Sequence, residues 1–85
     1  MKHKSICKLL EKHGKTIQLN GSHQYARRYI ASLGSYSLEW TTDAEQSEVE
    51  IIKLRHQGDK DELVSDYFGG WFVETLKEII PYINA

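Results

Sequence analysis

His3 and Cys7 are the two residues whose types and spacing come closest to a metal site. They lie four positions apart in a segment with a helical pattern, so one helix turn would present both side chains on the same face. A structural zinc site needs about four such ligands. His13, His23 and His56 each lack a paired ligand nearby. The sequence therefore predicts no metal site and no cofactor, and the cysteine is interpreted as a half-buried apolar residue.

A catalytic group is the second kind of chemistry to test. A cysteine nucleophile would need an imidazole brought to it from elsewhere in the fold. An acid–base group would need two facing strands, and its members would be Arg55, His56, Asp66 and Tyr67. If those strands pair with residue numbers that sum to about 118, Asp66 lies opposite Ile52 rather than His56. The sequence also contains no phosphate-binding loop, zinc-protease motif or serine nucleophile elbow. We therefore predict that the protein has no catalytic residue and is not an enzyme.

Basic residues dominate the first half of the chain. Residues 1–40 carry seven Lys/Arg against two acids, and residues 41–85 carry four against ten, although the net charge is −1. If both basic segments are helices, their cations lie on outer faces, where they would neutralise phosphates. The candidate nucleic-acid contacts are Lys4, Lys8, Lys12, Lys15, Arg27 and Arg28. Two helices with ordinary solvent-exposed faces would show the same spacing of basic residues. Nucleic acid is therefore the alternative partner and not the leading one.

Acidic residues and one aromatic form the candidate surface for a protein partner. Trp71 lies at the edge of an apolar helix stripe beside Gly69-Gly70, where part of its ring would stay accessible. The acids lie mostly in predicted loops, where they would complement a basic partner or a second copy of the chain. A role in solubility is the alternative for these acids. The predicted protein-binding residues are Trp71, Glu45, Glu48, Asp59, Asp61 and Glu62.

The elements that would position these residues begin with two helices. Ser5 is predicted to cap the first, which buries Ile6, Leu9 and Leu10 and ends at Gly14. A short strand over residues 16–19 and a turn at Asn20-Gly21 follow. The apolar spacing over residues 22–33 then favours a second helix, and a hairpin through Asn20-Gly21 is the alternative.

Three strands and a last helix complete the predicted order. Residues 35–41 alternate cleanly, with Tyr36, Leu38 and Trp40 on one side. Residues 49–56 are predicted as a strand because β-branched residues stand side by side there, and residues 62–68 return as its partner. Residues 72–80 have the stripe of an amphipathic helix, which is expected to lie across the sheet and to end before Pro81.

These elements predict one two-layer α+β domain over residues 1–85. Three helices would pack on a mostly antiparallel sheet of three or four strands, in the order α-β-α-β-β-β-α. No apolar run approaches the roughly twenty residues that cross a bilayer, and no signal peptide is recognisable. The single cysteine fits a reducing cytoplasm.

Small domains of phage- and plasmid-borne proteins contain segments that resemble SLEWTT, VEIIKL and SDYFGGWF of this chain. These are the large polyvalent protein-associated domains, and the resemblance covers roughly residues 37–83. It implies an accessory protein of a mobile element and implies no catalytic residue. The sequence as a whole predicts a non-enzymatic module that binds another macromolecule. A protein is the leading partner, and a phage- or plasmid-encoded modulator or inhibitor would fit.

Overall fold

The computed structural model describes residues 2–56 and the backbone of residues 62–67. One helix, α1 (His3–Lys12), precedes five strands. The strands are β1 (Ile17–His23), β2 (Ala26–Leu33), β3 (Tyr36–Asp43), β4 (Val49–His56) and β5 (Glu62–Tyr67). Each strand pairs antiparallel with the next, so the sheet order is the chain order, β1-β2-β3-β4-β5.

The register of this sheet places large apolar side chains on one face. Tyr29 pairs with Trp40, which in turn pairs with Ile52. Leu38 lies between Ala31 and Leu54 in the same way. Because side chains of a strand alternate between faces, all these residues point to one side.

Helix α1 covers that apolar face. Ile6 and Leu10 have no exposed surface and join the buried cluster of the sheet, while Leu9 is half-buried beside them. The first helix of the sequence and its buried face are therefore confirmed. The opposite face of the sheet, called the open face below, has no element packed on it among the described residues.

Gly14 ends the helix as predicted. Its φ of +72° lies in the left-handed region, which a residue without a Cβ adopts at no steric cost. The Gly14 N–H donates to the Glu11 carbonyl at 3.0 Å, and the Lys15 N–H donates to the Leu10 carbonyl at 2.9 Å. These two bonds form a Schellman motif, which satisfies carbonyls that the helix end leaves unpaired.

The helix begins three residues earlier than the sequence suggested. Lys2 precedes its first turn and provides no side-chain cap, so the prediction of Ser5 as the cap is wrong. The start is instead held from outside, because the His3 N–H donates to the Ser47 carbonyl at 2.9 Å. Lys2 Nζ also lies 3.2 Å from Glu48 Oε1. Both side chains are more than half exposed, so this ion pair contributes at most about 1 kcal/mol.

The predicted fold class is wrong. The described chain has one helix on a five-stranded sheet rather than three helices on three or four strands. The error lies in residues 22–33, which end β1 and form β2. The hairpin alternative has the correct type of structure, but its turn is at Gln24-Tyr25. Gly21 lies inside β1, at an irregularity in the pairing between Leu19 and Ser22.

The strand predictions for the middle of the chain are confirmed. Leu38 and Trp40 are buried on the α1 side, and residues 49–56 are strand β4. The register of β4 and β5 pairs Ile52 with Asp66, as the sum of about 118 required. The predicted helix over residues 72–80 lies outside the described residues.

Candidate functional site

His3 lies at the centre of a polar and aromatic cluster under the first turn of α1. Its Nδ1 accepts a hydrogen bond from Trp40 Nε1 at 3.0 Å. Its ring lies against Tyr29, with 4.4 Å between centroids, and Tyr29 stacks on Trp40 at 5.7 Å. Cys7 Sγ lies 3.4 Å from His3 Nε2. The cluster therefore joins α1 to β2 and β3.

The bond from Trp40 determines what the His3–Cys7 pair can do. Since indole nitrogen only donates, Nδ1 of His3 must be unprotonated, and the proton of the neutral ring is on Nε2, facing Cys7. That nitrogen has no lone pair with which to accept the thiol proton. Burial lowers the pKa of His3, against a smaller opposing effect of Asp43. Burial, followed by the charge of Glu11, raises the pKa of Cys7. Both groups are therefore kept neutral, which is the reverse of an activated thiolate–imidazolium pair.

The loop between β3 and β4 completes the cluster. Asp43 accepts from the Ser47 N–H at 2.8 Å and from the Ser47 hydroxyl at 2.7 Å, and these bonds lower its pKa. Gln46 follows with a φ of +62°, and its side-chain oxygen accepts a hydrogen bond from the Tyr29 hydroxyl. The loop, α1 and the sheet are thus connected by side-chain bonds. This arrangement stabilises the domain and offers no reactive group.

The open face of the sheet is charged. Its centre is a depression of about 270 Å³ between β1, β2, β3 and β4. The charged side chains that line it are Arg28, Lys53, Arg55 and Glu39. Arg55 Nη2 lies 3.3 Å from Glu39 Oε2, and both side chains are about three-quarters buried. Arg55 Nε is buried and has no hydrogen-bond partner.

Strand β1 forms one edge of the sheet. It pairs only with β2, so its outer backbone edge has no strand beside it among the described residues. Leu19 is 59% exposed, although Tyr29, which lies opposite it, is buried. Tyr25, in the turn that follows, is 73% exposed. These two are the exposed large apolar residues of the described chain.

The structure separates the predicted basic residues into different surfaces. Lys4, Lys8 and Lys12 are exposed on α1, and Lys15 follows the helix half-buried. Arg27 and Arg28 are adjacent in β2, so they point to opposite faces of the sheet. Arg28 lines the open face, whereas the charge of Arg27 acts on Tyr29 on the α1 side. The helix lysines and Arg28 therefore do not share one surface.

The acidic candidates are described in part. Glu45 and Glu48 are exposed in the loop between β3 and β4, with Glu48 paired to Lys2. Because Ala26 pairs with Asp43, this loop and the turn that contains Tyr25 lie at the same end of the sheet. The side chain of Glu62 is not described, and Asp59, Asp61 and Trp71 lie outside the described residues.

Neither metal clusters nor membrane spans are found in the part of the chain that the structure describes. No three His, Cys, Asp or Glu side chains come together there as ligands would. None of its helices is both long enough and apolar enough to cross a bilayer. No protein-family model, curated protein or solved structure matches the chain. The resemblance to large polyvalent protein-associated domains therefore stays a prediction.

Sequence reasoning missed the residues that now stand out. Glu39, Lys53 and Arg55 form an alternating polar row on the second faces of β3 and β4, and this row was visible once both segments were predicted as strands. Leu19 gave no such signal. Its exposure depends on the position of β1 at the sheet edge, which follows from the strand order and not from local sequence.

Proposed function

We propose that this protein is a non-enzymatic interaction module whose partner is another protein. The partner adds an extended segment to the free edge of β1. A cytoplasmic role follows from the single cysteine, and the resemblance to mobile-element domains favours an accessory modulator or inhibitor.

The edge of β1, which has no strand beside it among the residues that the structure describes, is the observation that carries the proposal. Exposed sheet edges are usually protected by lysine, by other charges, by proline or by bulges. The segment Ile17–His23 contains no Lys, Arg, Asp, Glu or Pro, and its one irregularity lies after Leu19. The first half of the strand is therefore a regular, uncharged template. A peptide that pairs there would gain main-chain hydrogen bonds along the strand.

Leu19 supplies the apolar contact that such a peptide would bury. Complete burial of a leucine side chain is worth about 1.5–3 kcal/mol. Because 59% of Leu19 is exposed, its burial under a partner would contribute about 1–2 kcal/mol. Removal of this side chain should therefore lower the affinity roughly five- to thirtyfold.

The charge at the end of the sheet suggests the chemistry of the partner. Glu45 and Glu48 lie in the loop between β3 and β4, at the same end of the sheet as Tyr25 and the last residues of β1, and Glu48 already pairs with Lys2. An extended segment with alternating apolar residues and a basic end would fit both features. The candidates Asp59, Asp61 and Trp71 and the side chain of Glu62 lie outside the described residues, so they stay predictions and carry no part of this surface.

A displayed library of random peptides, about twelve residues long, tests the proposal without knowledge of the natural partner. The wild-type protein should select peptides with alternating apolar residues, and these should protect the amides of β1 from hydrogen exchange. Leu19→Asp should weaken binding at least tenfold, since it places a charge at the pairing edge. The matched control is Lys8→Asp, an exposed change on α1 that should alter affinity less than twofold.

Three outcomes would count against a protein partner at β1. Selected peptides could bind equally well to the Leu19→Asp variant. The free protein could form a dimer that this substitution dissolves, which would make a second copy the occupant. Finally, an oligonucleotide could bind with a steep salt dependence that Lys8→Asp reduces, which would favour nucleic acid on the exposed lysines of α1.

A further inference from the structure

We infer that the depression on the open face binds a small phosphate-bearing molecule. This site is separate from the edge of β1 and does not depend on the proposed protein partner. Among the residues that the structure describes, its lining contains three cations, Arg28, Lys53 and Arg55, and one acid, Glu39, a formal charge of +2 before the ion pairs of these groups are counted. The whole chain has a net charge of −1, so the excess of positive charge is local.

An unused donor points to the ligand more directly than the charge does. The guanidinium of Arg55 contacts Glu39 through Nη2, but its Nε is buried and has no acceptor. Buried donors in folded proteins are almost always paired with protein, water or a ligand. Arg55 lines the depression and presents its donors as a planar fork, so an oxyanion bound there would accept from this fork, and from the buried Nε–H once the side chains around it shift.

Neutral donors surround the same space. Asn20 and Thr41 both line the depression, and an amide and a hydroxyl can each donate to a phosphate oxygen. Asn20 lies in the irregular part of β1, next to Gly21, where a Cβ would stand 3.8 Å from the Cβ of Arg28. The irregularity therefore brings β1 close to the stem of Arg28.

The size and lining of the depression limit what it can hold. Its volume of about 270 Å³ is below the usual range for a drug-sized ligand, which begins at about 300 Å³. Trp40 belongs to the described lining, but its side chain is buried on the α1 side, where its Nε1 donates to His3, so no described ring is presented to a base. The phosphate group itself is therefore the recognised part.

Glu39 provides a second test of the inference, because its removal should change phosphate affinity in the direction opposite to that of removing a cation. A carboxylate beside the bound anion opposes binding, although its pairing with Arg55 reduces this effect. Replacing it with Gln removes the negative charge from the lining and keeps nearly the same shape. Removal of Arg28 and removal of Glu39 should therefore change phosphate affinity in opposite directions.

A titration with inorganic phosphate, followed by amide NMR at constant ionic strength, tests the site. Saturable shifts are expected at the amides of β2, β3 and β4 around the depression. Arg28→Gln should weaken phosphate binding about fivefold, and Glu39→Gln should strengthen it about threefold. Lys8→Gln removes the same charge from the opposite side of the molecule and should change affinity less than twofold.

Several results would overturn the inference. One is a set of shifts that grow linearly without saturation, and another is a set of shifts centred on α1. Equal weakening by Arg28→Gln and Lys8→Gln would show general attraction to a basic protein rather than a site. Weaker binding by a folded Glu39→Gln variant, with the circular dichroism of the wild type, would show that the carboxylate does not oppose the ligand.

Discussion

Protonation of His3 should destabilise the fold, because the same nitrogen that would take the proton accepts the bond from Trp40. Trp40 is 1% exposed, so its indole N–H has no access to water if His3 is lost as an acceptor. A buried donor left without a partner costs about 1–3 kcal/mol. His3→Phe keeps an aromatic ring beside Tyr29 and removes the acceptor. We expect it to lower the free energy of unfolding by that amount at neutral pH.

The sign of the pH dependence follows from the same contact. Burial lowers the pKa of folded His3 below its ordinary value of 6.5, so the unfolded chain takes up the proton first as pH falls. The contribution of His3 is therefore fully present above pH 6.5 and is lost as pH falls from 6.5 towards the lowered folded pKa. One proton limits the slope to about 1.4 kcal/mol per pH unit. The pKa of Asp43 is held below 3.8, so this carboxylate does not titrate in that window.

Urea unfolding followed by tryptophan fluorescence, between about pH 7.5 and pH 5, would measure both effects. The wild type should lose stability over this range, and His3→Phe should show a smaller slope as well as a lower value at pH 7.5. His3→Asn should recover part of the neutral-pH stability, since its amide oxygen can accept near the position of Nδ1, yet it should not restore the slope. The control is His13→Asn, which replaces a histidine at the other end of α1 and leaves the bond between Trp40 and His3 in place. The reasoning is refuted if His3→Phe retains the wild-type slope, or if it is as stable as the wild type at pH 7.5.

Two further predictions concern the packing of α1 and the face assignment of β2. Leu10→Ala should cost about 3–5 kcal/mol, since Leu10 is completely buried, whereas the half-buried Leu9→Ala should cost only about 1 kcal/mol. An 85-residue domain has a total stability of about 4–13 kcal/mol, so Leu10→Ala should remove a large fraction of it and lower the melting temperature far more than Leu9→Ala does. Equal losses for the two variants would contradict the described helix orientation. In β2, Ala31→Leu should cost about 1–3 kcal/mol by overfilling the space under α1. Ile30→Thr, on the open face, should cost less than about 1 kcal/mol in the same melts. A helix over residues 22–33 would reverse that order, because its apolar stripe contains Ile30 and leaves out Ala31.

Secondary structure was predicted correctly in segments where the local residue pattern matched the burial of the side chains in the folded protein. In β3 the alternation of Leu38 and Trp40 with polar neighbours could describe only a half-buried strand, and the structure has that strand. In β4 the adjacent β-branched residues Ile51 and Ile52 identified a strand because such side chains crowd a helix. The end of α1 was predictable for a similar reason, since Gly14 suits the left-handed turn that closes it.

The prediction failed in β2 because two patterns fitted the same residues. Tyr29 and Leu33 are four positions apart, which suits a helix, but both are also odd-numbered, which suits one face of a strand. Ala31, between them, is the residue that decides, and a small side chain carries almost no weight in an apolar stripe. Its 1% exposure follows from α1 above it and from Leu38 beside it, and neither neighbour is visible in local sequence.

Neither proposed site could be predicted from local sequence, because the residues of each become neighbours only in the folded sheet. The depression on the open face collects Arg28 from β2, Glu39 from β3 and Arg55 from β4, and these residues become neighbours only through the register of three strands. The edge of β1 exists only because the strand order follows the chain order. A helix over residues 22–33 would have placed Arg27 and Arg28 side by side on one basic surface. A strand separates them by the thickness of the sheet, so the secondary structure of this one segment decides which surface carries positive charge.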